Sequence, residues 1–196
     1  MTTIFDKASE TFSYVEFCSL AEKLLNESKT TGDNQSPEYL HYARLNLKRM
    51  QRWDKVYELP QKMLAKVKDV QNQTWYVITE AWCGDSAQNL PLINKLAIAS
   101  EGKIQLKIVL RDENPEIINQ YLTNGSKSIP ILVAFNEQGD QIFKWGPRPI
   151  PAHQILMAWK NSENPKPFED FEIEMQQWYN QDKGVSLMKE LEALLS

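Results

Sequence analysis

Residues 75–86 read WYVITEAWCGDS, and the interpretation of the whole chain turns on them. Positions 75–79 (WYVIT) are aromatic or β-branched and suit a strand. Glu80, Ala81 and Trp82 supply a turn, and Cys83 follows directly. A helix is expected over 85–100, opening near Gly84, because Leu90, Ile93, Leu96 and Ala97 recur at helical spacing. A cysteine at the start of a helix faces unpaired backbone N–H groups and the positive end of the helix dipole, and both favour the thiolate. The thiolate is the nucleophilic form, so Cys83 is the first candidate catalytic residue.

Three further segments read as short strands: 104–110 (IQLKIVL), 131–135 (ILVAF) and 141–145 (QIFKW). A helix over 115–122 opens after Asn114 as its cap. The last two strands are separated only by 136–140 (NEQGD), which predicts an antiparallel hairpin turning at Gly139. The expected class is therefore α/β, with a mixed sheet of about four strands and flanking helices.

Upstream, apolar spacing at Phe12, Val15, Cys18, Leu20, Leu24 and Leu25 predicts a helix over 9–28 beginning after Ser9. Cys18 falls on its apolar side and reads as core rather than as a remote resolving thiol. The polar loop 30–36 (TTGDNQS) leads to a second helix with Pro37 in its first turn. That helix has an apolar stripe (Leu40, Ala43, Leu47, Met50), a basic face (Arg44, Lys48, Arg52, Lys55) and a third stripe of Asn46, Arg49 and Trp53. The basic face reads as solvated, and Arg49 as an anchor for an acid of the core. A shorter helix is expected over 60–68, another over 151–160, and a helical tail from Phe168 with a break at Gly184. The expected organisation is a helical N-terminal extension (1–70), an α/β domain (71–160) and a C-terminal helical tail (161–196).

Composition narrows the function. The 196 residues carry a net charge of −4 and a pI near 5.3, which argues against a sequence-independent nucleic-acid binder. Two cysteines cannot build a disulfide framework. The start, MTTIFDKASE, lacks the basic and apolar regions of a signal peptide, and no apolar run reaches the ~18 residues that span a bilayer. A cytoplasmic chain without membrane or nucleic-acid partners is expected, in a compartment where thiols stay reduced. His41 and His153 are isolated and no ligand-spaced cluster accompanies them, so no metal is expected.

The run Trp82-Cys83-Gly84-Asp85-Ser86, with Pro91 eight residues after the cysteine, resembles the active-site turn and kinked helix of the thioredoxin-like superfamily, whose usual form is WCGPC. Ile129-Pro130, 47 residues beyond Cys83, matches the place of the cis-proline that packs beside that cysteine, and 109–115 (VLRDENP) sits where thioredoxins have a strand followed by an Asn-Pro helix start. The segments 41–55 (HYARLNLKRMQRWDK) and 145–149 (WGPRP) extend the likeness to a bacterial thioredoxin-like family with a helical N-terminal extension. The resemblance implies a thioredoxin-like fold and a substrate site formed by Trp82, Gly84, Ile129 and Pro130, the last two exposing a backbone edge to an extended substrate. Arg148, held between two prolines, suits a contact to glutathione or a substrate carboxylate, with a structural salt bridge as the alternative.

Two departures shape the chemistry. Ser86 stands where the resolving cysteine would be, and a hydroxyl cannot release a mixed disulfide. What is left is monothiol chemistry on a protein disulfide or a glutathionylated substrate, resolved by an external thiol, with glutathione as co-substrate and no other cofactor. Ser86 is placed to donate a hydrogen bond to the thiolate. Val77 stands six residues before Cys83, where thioredoxins carry a buried acid, so no proton acceptor of that type is expected. Asp85 works against the thiolate by roughly 0.7 to 3 kcal/mol at ~6 Å, depending on the dielectric. Bringing the thiol to ~7 takes roughly 2 kcal/mol, so the sign of its shift stays open. Two other functions remain: a redox-inactive module that binds a peptide or protein along the Pro130 edge, and, from the similarity of CGDS to CGFS, an iron–sulfur carrier like the monothiol glutaredoxins.

Overall fold

A computed structural model describes residues 3–195. Met1, Thr2 and Ser196, the outer ends of the expected extension and tail, lie outside the described residues.

After a 3-10 turn at Ile4–Lys7, three helices come first: α1 (Tyr14–Asn26), α2 (Pro37–Val56) and α3 (Gln61–Asp69). The core follows as β1 (Gln73–Thr79), α4 (Gly84–Ala99), β2 (Ile104–Leu110), the one-turn α5 (Pro115–Ile118), β3 (Ile131–Asn136), β4 (Gln141–Trp145) and α6 (Ile150–Lys160). Helices α7 (Phe168–Asp182) and α8 (Val185–Leu194) close the chain. The sheet order is β2-β1-β3-β4, with β1 parallel to β2 and antiparallel to β3, and β3 antiparallel to β4. This is the mixed four-stranded α/β arrangement that the strand spacing implies.

The pleat explains the layering. Successive strand residues point to opposite faces, so Trp75 and Val77 join one core while Tyr76 and Ile78 join another. The first core packs helices from both ends of the chain against the sheet, including Phe17, Met50, Leu90 and Leu187. The second is smaller and aromatic. Phe5 stacks on Tyr76 with ring centroids 4.3 Å apart, and Cys83 and Ile129 lie in the same cluster.

Two expected boundaries shift. Helix α1 starts at Tyr14, not after Ser9, because Ser13 and Glu16 form a reciprocal capping box. Phe12 is then left extended, and it exchanges both backbone hydrogen bonds with Ile108 (2.9 and 2.7 Å). The helix expected over 115–122 ends at Ile118, its last residues tightening into turns. The break near Gly184 is present: Lys183 and Gly184 both adopt left-handed conformations between α7 and α8.

Candidate active site

Cys83 is the N-cap of α4 and lines a cleft of about 990 Å³. Its floor is the turn after β1 together with residues 126–129, and its walls are α2 and α7. Cys83 is 8% exposed, and its thiol donates a hydrogen bond to the Ile129 carbonyl at 3.3 Å. The Ile129–Pro130 peptide is cis, as is Gly146–Pro147. The two bends lie against each other because Gly146, at φ +122°, brings its backbone so close to Pro130 that a Cβ would collide with the Pro130 carbonyl oxygen.

Ser86 is buried beneath the sulfur. The Thr79 hydroxyl donates to Ser86 Oγ (2.6 Å), and the Ser86 hydroxyl and backbone N–H both favour a thiolate at Cys83. Burial and the nearby Asp85 charge act in the opposite direction and win, so the Cys83 thiol is pushed up to about 11. The resting cysteine is a neutral thiol.

Asp85 is itself clamped. One carboxylate oxygen accepts from Arg148 Nη2 at 2.5 Å and the other from the Tyr179 hydroxyl at 2.6 Å. Asn89 Nδ2 donates to Tyr179 Oη at 3.1 Å. Burial raises the Asp85 carboxyl, against the pull of Arg148 and Tyr179. Arg148 is therefore occupied by Asp85, in the salt bridge that the sequence offered as its alternative role. Trp82 is held between the Tyr39 ring (centroids 4.9 Å apart) and the Arg111 guanidinium, 4.7 Å from its ring centroid. Gly84 lies beside Gln176 of α7 and Arg49 of α2.

The stripe Asn46, Arg49 and Trp53 is what docks α2 on the site. Asn46 Nδ2 donates to the Ala81 carbonyl (3.2 Å), Arg49 Nη1 to Asn46 Oδ1 (2.7 Å) and Trp53 Nε1 to Gln88 Oε1 (2.6 Å). Gln88 passes the chain on to Gln176 of α7 at 2.6 Å. The hydrogen-bond partner of Arg49 is the neutral Asn46, and the acid that acts on it electrostatically is Glu172 of α7, not an acid of the core.

A buried acid does occur near the site, three residues before the cysteine rather than six. Glu80 is fully buried, accepts the Asp112 N–H at 2.9 Å and leaves its second oxygen unpartnered. Burial raises its carboxyl to about 7. Val77, at the position where the acid was sought, is plain core. Among the described residues no group of three His, Cys, Asp or Glu side chains is placed to hold a metal ion, and no helix is long and apolar enough to cross a membrane.

Residues 32–161, from the loop before α2 to the end of α6, match a family model described as thioredoxin. The chain belongs to the thioredoxin family. A 54-residue stretch is 41% identical to thioredoxin 1 of Nostoc sp. (strain PCC 7120 / SAG 25.82 / UTEX 2576) and 35% identical to thioredoxin of Synechocystis sp. (strain ATCC 27184 / PCC 6803 / Kazusa). In each case the match is 28% of this chain and 48% of the relative, so the chain spans about half the length of these curated thioredoxins. A crystal structure of an HIV epitope scaffold superposes with a TM-score of 0.54 at 14% identity, over 94% of this chain and 98% of that one, a likeness of fold alone. The thioredoxin match stops at residue 161, so α7, which supplies Tyr179 and Gln176 to the site, lies outside it.

Proposed function

We propose that the protein is a thiol-disulfide oxidoreductase working through Cys83 alone, in the redox homeostasis of the cytoplasm. The observation that carries this reading is the placement of Cys83. It lies on the floor of a cleft, against the Ile129 carbonyl, with a serine where a dithiol site would have its second sulfur.

In the first step Cys83 gives up its proton and attacks one sulfur of a protein disulfide or a glutathionylated cysteine. A Cys83–substrate disulfide forms, and the other sulfur leaves as a thiolate that takes up a proton. An external thiol, glutathione in the simplest case, then attacks the mixed disulfide. It departs joined to the bound group, and Cys83 regains its thiol. Ser86, the start of α4 and Arg148 favour the charged sulfur, while burial and Asp85 restrain it. Trp82, Gly84, Ile129 and Pro130 form the surface on which the substrate sulfur is presented.

The test is mass spectrometry of a Cys18→Ser variant exposed to oxidised glutathione. The expected result is one adduct on Cys83, fully reversed by reduced glutathione. An adduct that appears only after denaturation contradicts the proposal. A second reading, a redox-inactive module binding a peptide along the Pro130 edge, draws support from the neutral, largely buried thiol. A Cys83→Ser variant with full activity in cells would favour it. The iron–sulfur reading rests on the likeness of CGDS to CGFS alone. A protein that stays colourless after anaerobic reconstitution would set it aside.

A further inference from the structure

The cleft over Cys83 is open to solvent and broad. At about 990 Å³ it has the volume of a small-molecule site, and it is lined by both α2 and α7, which the Tyr42–Glu172 (2.6 Å) and Arg52–Asn180 (2.7 Å) hydrogen bonds join. Its charges are mostly spoken for. Arg148 is paired with Asp85, and Arg111 with Asp112 at 2.7 Å while it also covers Trp82. Lys127, Glu38 and Glu169 sit exposed among the residues bordering the cleft.

Two half-buried charges on the walls are different. Arg49 projects from α2 beside Gly84, with the Asn46 amide as its one hydrogen-bond partner among the described residues. Glu172 projects from α7, where one carboxylate oxygen accepts the Tyr42 hydroxyl at 2.6 Å. The two feel each other electrostatically without forming a salt bridge. An unpaired cation and an anion that line the same cleft complement a ligand that carries both charges close together, because each of its groups gains a charge-assisted hydrogen bond.

We propose that this cleft takes a low-molecular-weight disulfide of the amino-acid type, whose carboxylate pairs with Arg49 and whose ammonium group pairs with Glu172 while its sulfur meets Cys83. The inference rests on the monothiol reading of Cys83 and names its substrate class. The exchange is that already described: a bond forms between Cys83 and one substrate sulfur, the substrate S–S bond breaks, and the departing thiolate takes up a proton. Both walls are then part of the site, which gives the helices flanking the thioredoxin-like core a direct role in selecting the substrate.

The test uses the Cys18→Ser protein and four disulfides at equal concentration: zwitterionic L-cystine, cationic cystamine, anionic dithiodipropionate and neutral hydroxyethyl disulfide. Initial rates of adduct formation on Cys83 are read by intact-mass analysis. L-Cystine is expected to react about tenfold faster than cystamine or dithiodipropionate. Arg49→Gln should collapse the preference over cystamine, and Glu172→Gln the preference over dithiodipropionate, with Arg49→Lys restoring part of the former. Ratios between disulfides are unaffected by a general change in thiol reactivity or in the folded fraction. Equal rates for all four would overturn the zwitterion site and leave the redox reading standing. If none reacts, the redox reading fails, and calorimetry with the thioether lanthionine decides the site: binding that Arg49→Gln and Glu172→Gln each abolish supports it, and no binding overturns it.

Discussion

The chain has two cysteines in two different settings. Cys18 lies within α1, packed against the main core beside Tyr14 and Asp54, and burial pushes its thiol up to about 11. Cys83 caps α4 on the other face of the sheet, and its thiol is pushed up to about 11 as well. Acidity does not separate them. What separates them is company: Cys83 has a cleft in front of it, a carbonyl to hold its proton, a serine beneath it and a helix start behind it, whereas Cys18 has the middle of a helix and an acid nearby. A chemical role for a thiol is thus better read from what surrounds the sulfur than from its acidity at rest.

The sharpest way to break the comparison is to remove each sulfur in turn. Cys83→Ser should abolish adduct formation with oxidised glutathione, a loss of more than about a hundredfold, and Cys18→Ser should change the rate by less than about twofold, both read by mass spectrometry. The next effect is on stability. The Cys83 side of the molecule carries Glu80, whose carboxyl is raised from 4.5 to about 7 in the fold. Between those values the folded state binds more protons than the unfolded state, so stability is full below pH 4.5 and falls as pH rises toward 7. The loss is of the order of 3 kcal/mol. Glu80→Gln keeps an acceptor for the Asp112 N–H and should flatten that slope in denaturant melts at pH 5 and pH 8.

Smaller effects refine the Cys83 environment. Asp85→Asn keeps one acceptor oxygen, for Arg148, turns the other position into an N–H donor beside Tyr179, and removes the charge that opposes the thiolate, so alkylation of Cys83 at pH 8 should rise roughly tenfold with no change at Cys18. Ser86→Ala removes a group that favours the thiolate and should slow the same reaction by about threefold to fivefold. Because the Cys83 thiol is raised to about 11, its alkylation rate should climb close to tenfold per pH unit from 7 to 9 without a plateau, as measured by stopped-time alkylation.

The fold was legible because its signals are local. The strand-turn-helix run at 75–86 and the short hairpin at 136–140 state their pairing through residue type and spacing. The start of α1 was misplaced because Ser9 and Ser13 look alike until Glu16 is recognised as the capping partner of Ser13. Much of the candidate site was not legible, since it is assembled by residues far apart in the chain. Tyr179 lies 94 positions after the Asp85 it bonds, and Arg49 reaches Gly84 only because α2 docks across α4. Nothing at position 179 distinguishes a core tyrosine from one whose hydroxyl holds an active-site carboxylate. Glu80 was passed over because the acid was sought on the strand at position 77, whereas the turn residue is the one that folds inward. The sign of the Cys83 shift depended on burial, which spacing alone cannot supply.

Both sulfurs can be put in direct competition in the unmodified protein. Native protein is treated briefly with hydroxyethyl disulfide at pH 8, quenched and digested, and the adduct at each cysteine is quantified by peptide mass spectrometry. With the two thiols equally hard to ionise, the account predicts that Cys83 carries at least about ten times the adduct of Cys18 and that added free thiol removes it. Equal labelling, or labelling of Cys18 first, would contradict it.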